Sequence, residues 1–355
     1  MVLMVLDHVR AYFGNSDLDP TNLAVTTPAA FFTRWVTHFC APTFVLLAGV
    51  SAFLWGRNRT LGEQSRHLLT RGLMLIILEQ TWVNVTMFFT YPQALLGTVL
   101  WAIGWSMISL AVLIHLPRTM VGVIGLGVIG GHNLFDGVQV QGKYLSALWD
   151  LLHVSGFRSI GGLPILLLYP LVPWIGLMAC GYAMGPLFTK PSEQRQPILQ
   201  MLGWSTISGF LILRWLNVYG DPDPWTPQAS TLGTVMAFLN CQKYPPSLLF
   251  LLMTIGPALL ALTVLDGGLG RAGQPLLVFG RSPLFFYLLQ WPLVHSLAVI
   301  VAWFQGFPID WLFRFLADSP DGYGNSLAVT YLFWVIAIAL LYWPCVCYAN
   351  WRRPA

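Results

Sequence analysis

Charge is what this 355-residue chain has least of: Asp, Glu, Lys and Arg together make up 9% of it. An ordinary soluble domain is about one quarter charged. The shortage excludes a soluble globular protein, and the 56% hydrophobic content points to a polytopic membrane protein instead. Its mean hydropathy of +0.66 agrees. The net charge of +4 is scattered among connections rather than gathered on one face, which argues against nucleic acid as a partner. Cysteine is also sparse. Five residues in odd number, with no CxxC, argue against a disulfide framework or a zinc site. Cys345 and Cys347, two apart, face different ways on a helix. The motifs of soluble enzymes are missing: no P-loop, no GxGxxG with a following acidic residue, no HExxH, no GxSxG. Repeats, coiled coil and low-complexity tracts are absent as well. The opening has neither a basic n-region nor a small-residue cleavage site, so no cleavable signal peptide is expected.

What the chain does have is long apolar runs. After a first segment at 1–14, nine more read as spans: about 32–55, 69–90, 95–116, 119–136, 163–186, 198–217, 246–266, 283–304 and 327–349. Basic residues sort into alternate connections. One set holds Arg57, Arg59, Arg66 and Arg71, then Arg118, Lys190 with Arg195, Arg271 with Arg281, and Arg352 with Arg353. The other set (15–30, 91–94, 137–162, 218–245, 305–326) spreads Lys143, Arg158, Lys243 and Arg314 over longer stretches. Positive residues stay cytoplasmic. The expectation is an all-α transmembrane bundle of about ten spans, one domain over 1–355, with both termini cytoplasmic. Trp and Tyr, 16 and 12 of them, suit the membrane interfaces.

Against that background the polar residues inside apolar runs stand out. In MVLMVLDHVRAYFG, Asp7 and Arg10 are i,i+3 neighbours able to pair, while His8 points about 100° away from Asp7 and is placed to meet a ligand. The plain alternative is an ion pair with a bystander histidine. Fourteen helical residues rise roughly 21 Å, short of the ~30 Å hydrocarbon core; the segment is a half-span, or the natural start lies upstream. Arg34 and His38 share one helix face, either aimed at the same cavity as His8 or snorkelling to the interface. Pro42 frees a carbonyl and can kink that helix. Ala48, Gly49, Ser51 and Ala52 permit close packing. Glu79 could pair with an arginine of another helix, hold a proton relay or coordinate a ligand, and a structural pair is the expectation, since membrane bundles use buried polar contacts in this way.

Further along, GGHNLFDG bunches His132, Asn133 and Asp136. Two metal ligands do not make a site, so no metal is expected; the alternative is a helix end capped by Asn133 or Gly137. YPLVPW places two prolines in one span, read as a broken helix at a cavity wall. YGDPDPW (219–225) reads as a turn-rich loop. Arg214 and Lys243 are candidates for an anionic or sugar acceptor, and Lys243-Tyr244-Pro245 suits a helix start. Arg271 and Arg281 suit the phosphates of a nucleotide-type donor, or simply the positive-inside rule.

Several long strings carry a resemblance: VLMVLDHVRAYFG, RWVTHFCAPTFVLLAG, LWAIGWSM, GHNLFD, YPLVPWIGLMACGYAMG, NVYGDPDPW, KYPPSLLFLLMTIGPAL and FGRSPLFFYLL. In them the chain resembles, over nearly its whole length, a bacterial membrane family related to heparan-α-glucosaminide N-acetyltransferase and more loosely to O-acyltransferases of surface polysaccharides. The resemblance implies acyl transfer from cytoplasmic acetyl-CoA, as donor substrate, to a sugar-containing acceptor across a bacterial inner membrane. In the O-acyltransferases an arginine precedes a catalytic histidine on the first helix; His8 looks like that histidine, and the arginine's position falls before Met1. An asparagine of the heparan enzyme's site falls at His8 and an aspartate at His38. That enzyme's nucleophilic histidine, in the first outer loop, has no counterpart in 15–30, so no acyl-histidine intermediate is implied. Gln290 stands where the resemblance leads one to expect another histidine.

The expected catalytic set is therefore His8, Asp7 and His38, with Arg10, Arg34, His132, Asn133, Asp136, Arg214, Lys243 and Arg281 binding donor or acceptor. Expected partners are the bilayer, acyl-CoA and a glycan acceptor, with a homodimer left open. A competing class is a transporter or channel whose path uses Asp7, Glu79, His132 and His295. The lack of evident inverted repeats weighs against it.

Overall fold

A computed structural model describes residues 1–14, 19–268, 270 and 273–351. Arg271, Arg352 and Arg353 of the basic connections, and positions 15–18 of the first loop, lie outside the described residues. In chain order the helices are α1 (Val2–Phe13), α2 (Pro28–Thr37), α3 (Cys40–Gly56), α4 (Leu61–Leu78), α5 (Asn84–Phe88), α6 (Val99–Leu113), α7 (Arg118–Gly131) and α8 (Lys143–His153). They continue as α9 (Leu171–Met184), α10 (Ser192–Leu216), α11 (Thr231–Leu239), α12 (Leu248–Asp266), α13 (Gln274–Arg281), α14 (Pro283–Phe304) and α15 (Leu327–Trp351). Three short strands join them: β1 (Leu95–Gly97), β2 (Gly156–Ile160) and β3 (Leu163–Leu167).

The strands correct the all-α expectation. They form one sheet in the order β1-β3-β2, with β1 parallel and β2 antiparallel to β3. Gly161 and Gly162, both at positive φ, turn β2 back onto β3 so that Ile160 faces Leu163; two successive left-handed residues make the hairpin turn that matches strand twist. An apolar run is the same to the eye in a strand or a buried helix, which is why 95–116 and 163–186 each read as one span. Their helical parts are α6 and α9. Pro170 caps α9 and Pro173 sits in its first turn, where a missing N–H costs nothing, so the prolines start this helix rather than break it.

Five stretches are long and apolar enough to cross a membrane: Pro28–Gly56, Leu171–Thr189, Leu248–Asp266, Pro283–Phe304 and Leu327–Trp351. The first is interrupted at His38–Phe39. Pro42 has no N–H to return to the His38 carbonyl, consistent with the break. α12 begins not at Pro245 but at Leu248, with the Ser247 hydroxyl accepting the Phe250 N–H at 3.0 Å.

The chain divides into two compact units. One comprises Met1–Cys40, Thr81–Gln93 and Gly268–Ala355; within it α1 packs on α2, α14 and α15, and α14 on α5 and α15. The other comprises Ala41–Gln80 and Ala94–Gly267, where α4 pairs with α6, α7 with α9 and α10 with α12. Glycines set these crossings. A methyl group on Gly72 would lie 2.5 Å from the Gly104 carbonyl oxygen, and one on Gly49 2.1 Å from that of Met178. With little hydrophobic drive between helices in lipid, such backbone approach is what holds them. Gly49 thus does what its neighbourhood suggested, whereas Ser51 is exposed.

Glu79 meets no arginine among the described residues. Fully buried, it opens a π-helical turn (Glu79–Val83), accepts the Thr98 hydroxyl and lies against the Thr98 and Leu100 amides. Those amides begin α6, and a helix N-terminus is itself a site for an anion. A helix end has replaced the expected cation.

Candidate functional site

In the first unit the site is built on α1. Met4, Val5, Leu6, Val9 and Phe13 are its buried side chains. The apolar stripe anchors the helix and leaves the charged residues on the flanks. Asp7 receives Arg10 Nη2 at 3.1 Å, one turn on, and both of its carboxylate oxygens take Arg34 Nη1 from α2. All three side chains are mostly withdrawn from solvent. Two guanidiniums thus converge on one carboxylate in a poorly solvated place, where Coulomb terms exceed those in water.

The His8 ring lies on the Trp291 indole of α14, centroids 4.0 Å apart and 25° from parallel. One turn further along both helices Tyr12 meets His295, centroids 5.0 Å apart. Two rungs stepping the same way show α1 and α14 running parallel here. His295 is fully buried, with Nδ1 3.2 Å from the Thr86 carbonyl oxygen and its ring stacked on Phe89. Gln290 is fully buried too, and neither amide atom has a hydrogen-bond partner among the described residues. An amide in such a position ordinarily finds partners, so Gln290 marks a polar spot beside Trp291. Trp291 was not among the sequence candidates; nothing in a tryptophan within an apolar run signals it. His38, buried at 3% exposure, is the residue that ends α2. Arg281 is exposed in the last turn of α13.

In the second unit Arg214 is 1% exposed. Its Nε and Nη atoms donate to the carbonyls of Phe238, Ala237, Asn240 and Asp223 at 2.9 to 3.1 Å. Four of the five guanidinium hydrogens are thereby committed to the end of α11 and the loop after α10. Asp221, 3.8 Å from Arg214, also accepts the Gln242 N–H and the Ser247 hydroxyl. Burial nevertheless pushes its carboxyl above the ordinary range. Asn217, in the left-handed region, brackets Trp225 with both amide atoms, so 219–225 is a pinned turn. Lys243 is buried with its ammonium 5.1 Å from the Tyr244 ring.

His132 follows the last residue of α7 and opens a 3-10 turn to Phe135; neither Asn133 nor Gly137 caps that helix. Asp136 holds His153 Nε2 at 2.8 Å and the Asn133 amide at 2.8 Å. His153, from α8, was missed because it lies 17 residues from Asp136 in a stretch with no motif.

A family model described as heparan-alpha-glucosaminide N-acetyltransferase, catalytic, matches residues 1–221, more than half of the chain. The match takes in α1, α2 and the His132 turn; Lys243, Arg281 and Trp291 lie beyond it. No curated protein and no solved structure matches the chain.

Proposed function

The chain belongs to the heparan-α-glucosaminide N-acetyltransferase catalytic family, and from that premise we propose that it moves an acetyl group from cytoplasmic acetyl-CoA to a hydroxyl or amine of a sugar-containing acceptor on the other side of the membrane. The setting is a bacterial inner membrane crossed about ten times, with both termini inside. A single domain over 1–355 carries the activity. The observation that carries this reading is the α1 cluster: an imidazole seated on an indole, one residue from a carboxylate shared by two arginines.

His8 is the general base. The acceptor oxygen or nitrogen bonds to the thioester carbonyl carbon as its proton passes to the imidazole. The carbon–sulfur bond then breaks, and the imidazolium returns the proton to the departing thiolate. Arg10 or Arg34 donates N–H groups to the oxyanion that forms between these steps. Asp7 holds the two guanidiniums at fixed spacing, and Trp291 keeps the imidazole in one orientation. His38 is a second histidine of the same unit. Arg281 suits the phosphates of the donor, and Lys243 the acceptor.

Proteoliposomes given labelled acetyl-CoA and a panel of amino and neutral sugars test this directly. His8→Ala should lower turnover by about 10²–10⁴-fold, the usual range for a lost general base, while donor binding persists. Wild-type turnover by a folded His8→Ala protein would remove His8 from the chemistry. Solute flux without acetyl transfer would favour a transporter.

A further inference from the structure

Where α7 ends, three potential metal ligands converge from the 3-10 turn that follows it and from α8. His132, Asp136 and His153 each place one ligand atom within 4.8 Å of the other two. His153 Nε2 and Asp136 Oδ1 are already 2.8 Å apart. His132 is 3% exposed, and neither of its ring nitrogens has a hydrogen-bond partner among the described residues. A neutral imidazole has one donor and one acceptor to satisfy, and burying either without a partner is unfavourable. Neighbouring side chains do not answer that need. A metal ion on the lone pair does.

We propose that His132, His153 and Asp136 form a binding site for a divalent transition-metal ion, zinc in the first instance. Two imidazoles and a carboxylate match the three-ligand zinc sites that keep a fourth position for water, whereas calcium and magnesium favour all-oxygen sets. Donors around tetrahedral zinc stand about 3.4 Å apart. The His153–Asp136 pair, at 2.8 Å, is held by a shared proton and would open by about 0.6 Å to take an ion in its place. Closing His132 onto them requires a shift of little more than an ångström, within the reach of side-chain rotation.

The surroundings fit as well. The second Asp136 oxygen is held by the Asn133 amide, and the Asn133 carbonyl oxygen accepts the Leu248 N–H at 2.8 Å, at the start of α12. Ligands oriented by such outer partners are the rule in metal sites. The Asp136 side chain is 24% exposed, which gives an ion an entry path and water a place to complete the coordination. The ion would tie the ends of α7 and α8 together and, through Asn133, the start of α12. The metal site is independent of the transferase reading.

The test uses the full chain in detergent, stripped with a chelator and titrated with Co²⁺. The expected result is one Co²⁺ per chain with the visible bands of a four- or five-coordinate ion, displaced by equimolar Zn²⁺, and a higher melting temperature with either metal. His132→Ala and His153→Ala should each weaken binding about 100-fold or more, and Asn133→Ala by about 10–100-fold. Should the alanine variants not fold, Asp136→Asn and the zinc X-ray absorption edge of the wild type serve instead, with two imidazole scatterers expected. Cobalt spectra typical of six water-like ligands, or unchanged affinity in the His132→Ala/His153→Ala protein, would overturn the proposal.

Discussion

Arg34 and Arg214 are both withdrawn from water inside an apolar chain, and they dispose of their hydrogens in opposite ways. Arg214 gives its donors to four backbone carbonyls, with a carboxylate 3.8 Å away. Arg34 shares one carboxylate with a second arginine. The first arrangement is neutral and closes a loop onto a helix end. The second gathers two arginines, from α1 and α2, on one carboxylate. A buried arginine is therefore read by what accepts its hydrogens: carbonyls close a loop onto a helix end, while a shared carboxylate ties the side chains of two helices together.

The comparison is exposed to its hardest test at Arg214. Arg214→Met leaves four carbonyls and Asp221 without their cation and should cost about 4 kcal/mol, the scale of a broken buried pair. Thermal melts in detergent measure it. Arg34→Met, by contrast, should tell first in turnover, so equal melting losses in the two variants would dissolve the distinction. Next comes Asp7→Asn, which takes away the carboxylate that both guanidiniums share. A loss of about 3 kcal/mol is expected, less than for Arg214 because water reaches part of this cluster. Trp291→Phe should be milder. A ring still lies on His8, ring stacking is worth about 0.5–1.5 kcal/mol, and turnover should fall by no more than roughly tenfold.

The smallest effect belongs to the start of α4. There the Thr60 hydroxyl caps Glu63 N–H, and the Glu63 carboxylate accepts from the Thr60 N–H and hydroxyl. Those bonds hold the Glu63 carboxyl below its usual range. A depressed carboxyl favours folding above its unfolded pKa, and that contribution disappears as the pH falls through its folded value. Thr60→Ala should cost about 1 kcal/mol at neutral pH, and the gap from wild type should narrow in acid. A gap constant with pH would show that Glu63 takes no part.

Contacts close in sequence were readable, and those between distant segments were not. Asp7 and Arg10 pair because i,i+3 positions on one helix are neighbours whatever the tertiary fold. Likewise Cys345 is buried and Cys347 exposed, as two positions apart on a helix require. Arg34, 27 residues from Asp7, lay on a face whose partner no local rule supplies. Glu79 went astray for a related reason. Hydropathy says that a lone carboxyl needs a counterpart, yet a helix N-terminus serves as well as an arginine, and which one arrives depends on packing. The sheet was hidden because strand and helix bury the same residues, although Gly161-Gly162 carried the turn chemistry that marks a hairpin.

Composition by itself determined that this is a multi-pass membrane protein, because a chain so poor in charge has too little polar surface to face water on every side. Residue order in α1 determined that an acid, a base and a cation would share one short helix. Only the tertiary structure decided that an indole from α14 seats His8, that Arg214 serves backbone carbonyls, and that His153 joins His132 and Asp136. Each of those meetings depends on how separate helices cross, and the free energy that selects a crossing is spread over many contacts, none of which any one segment encodes.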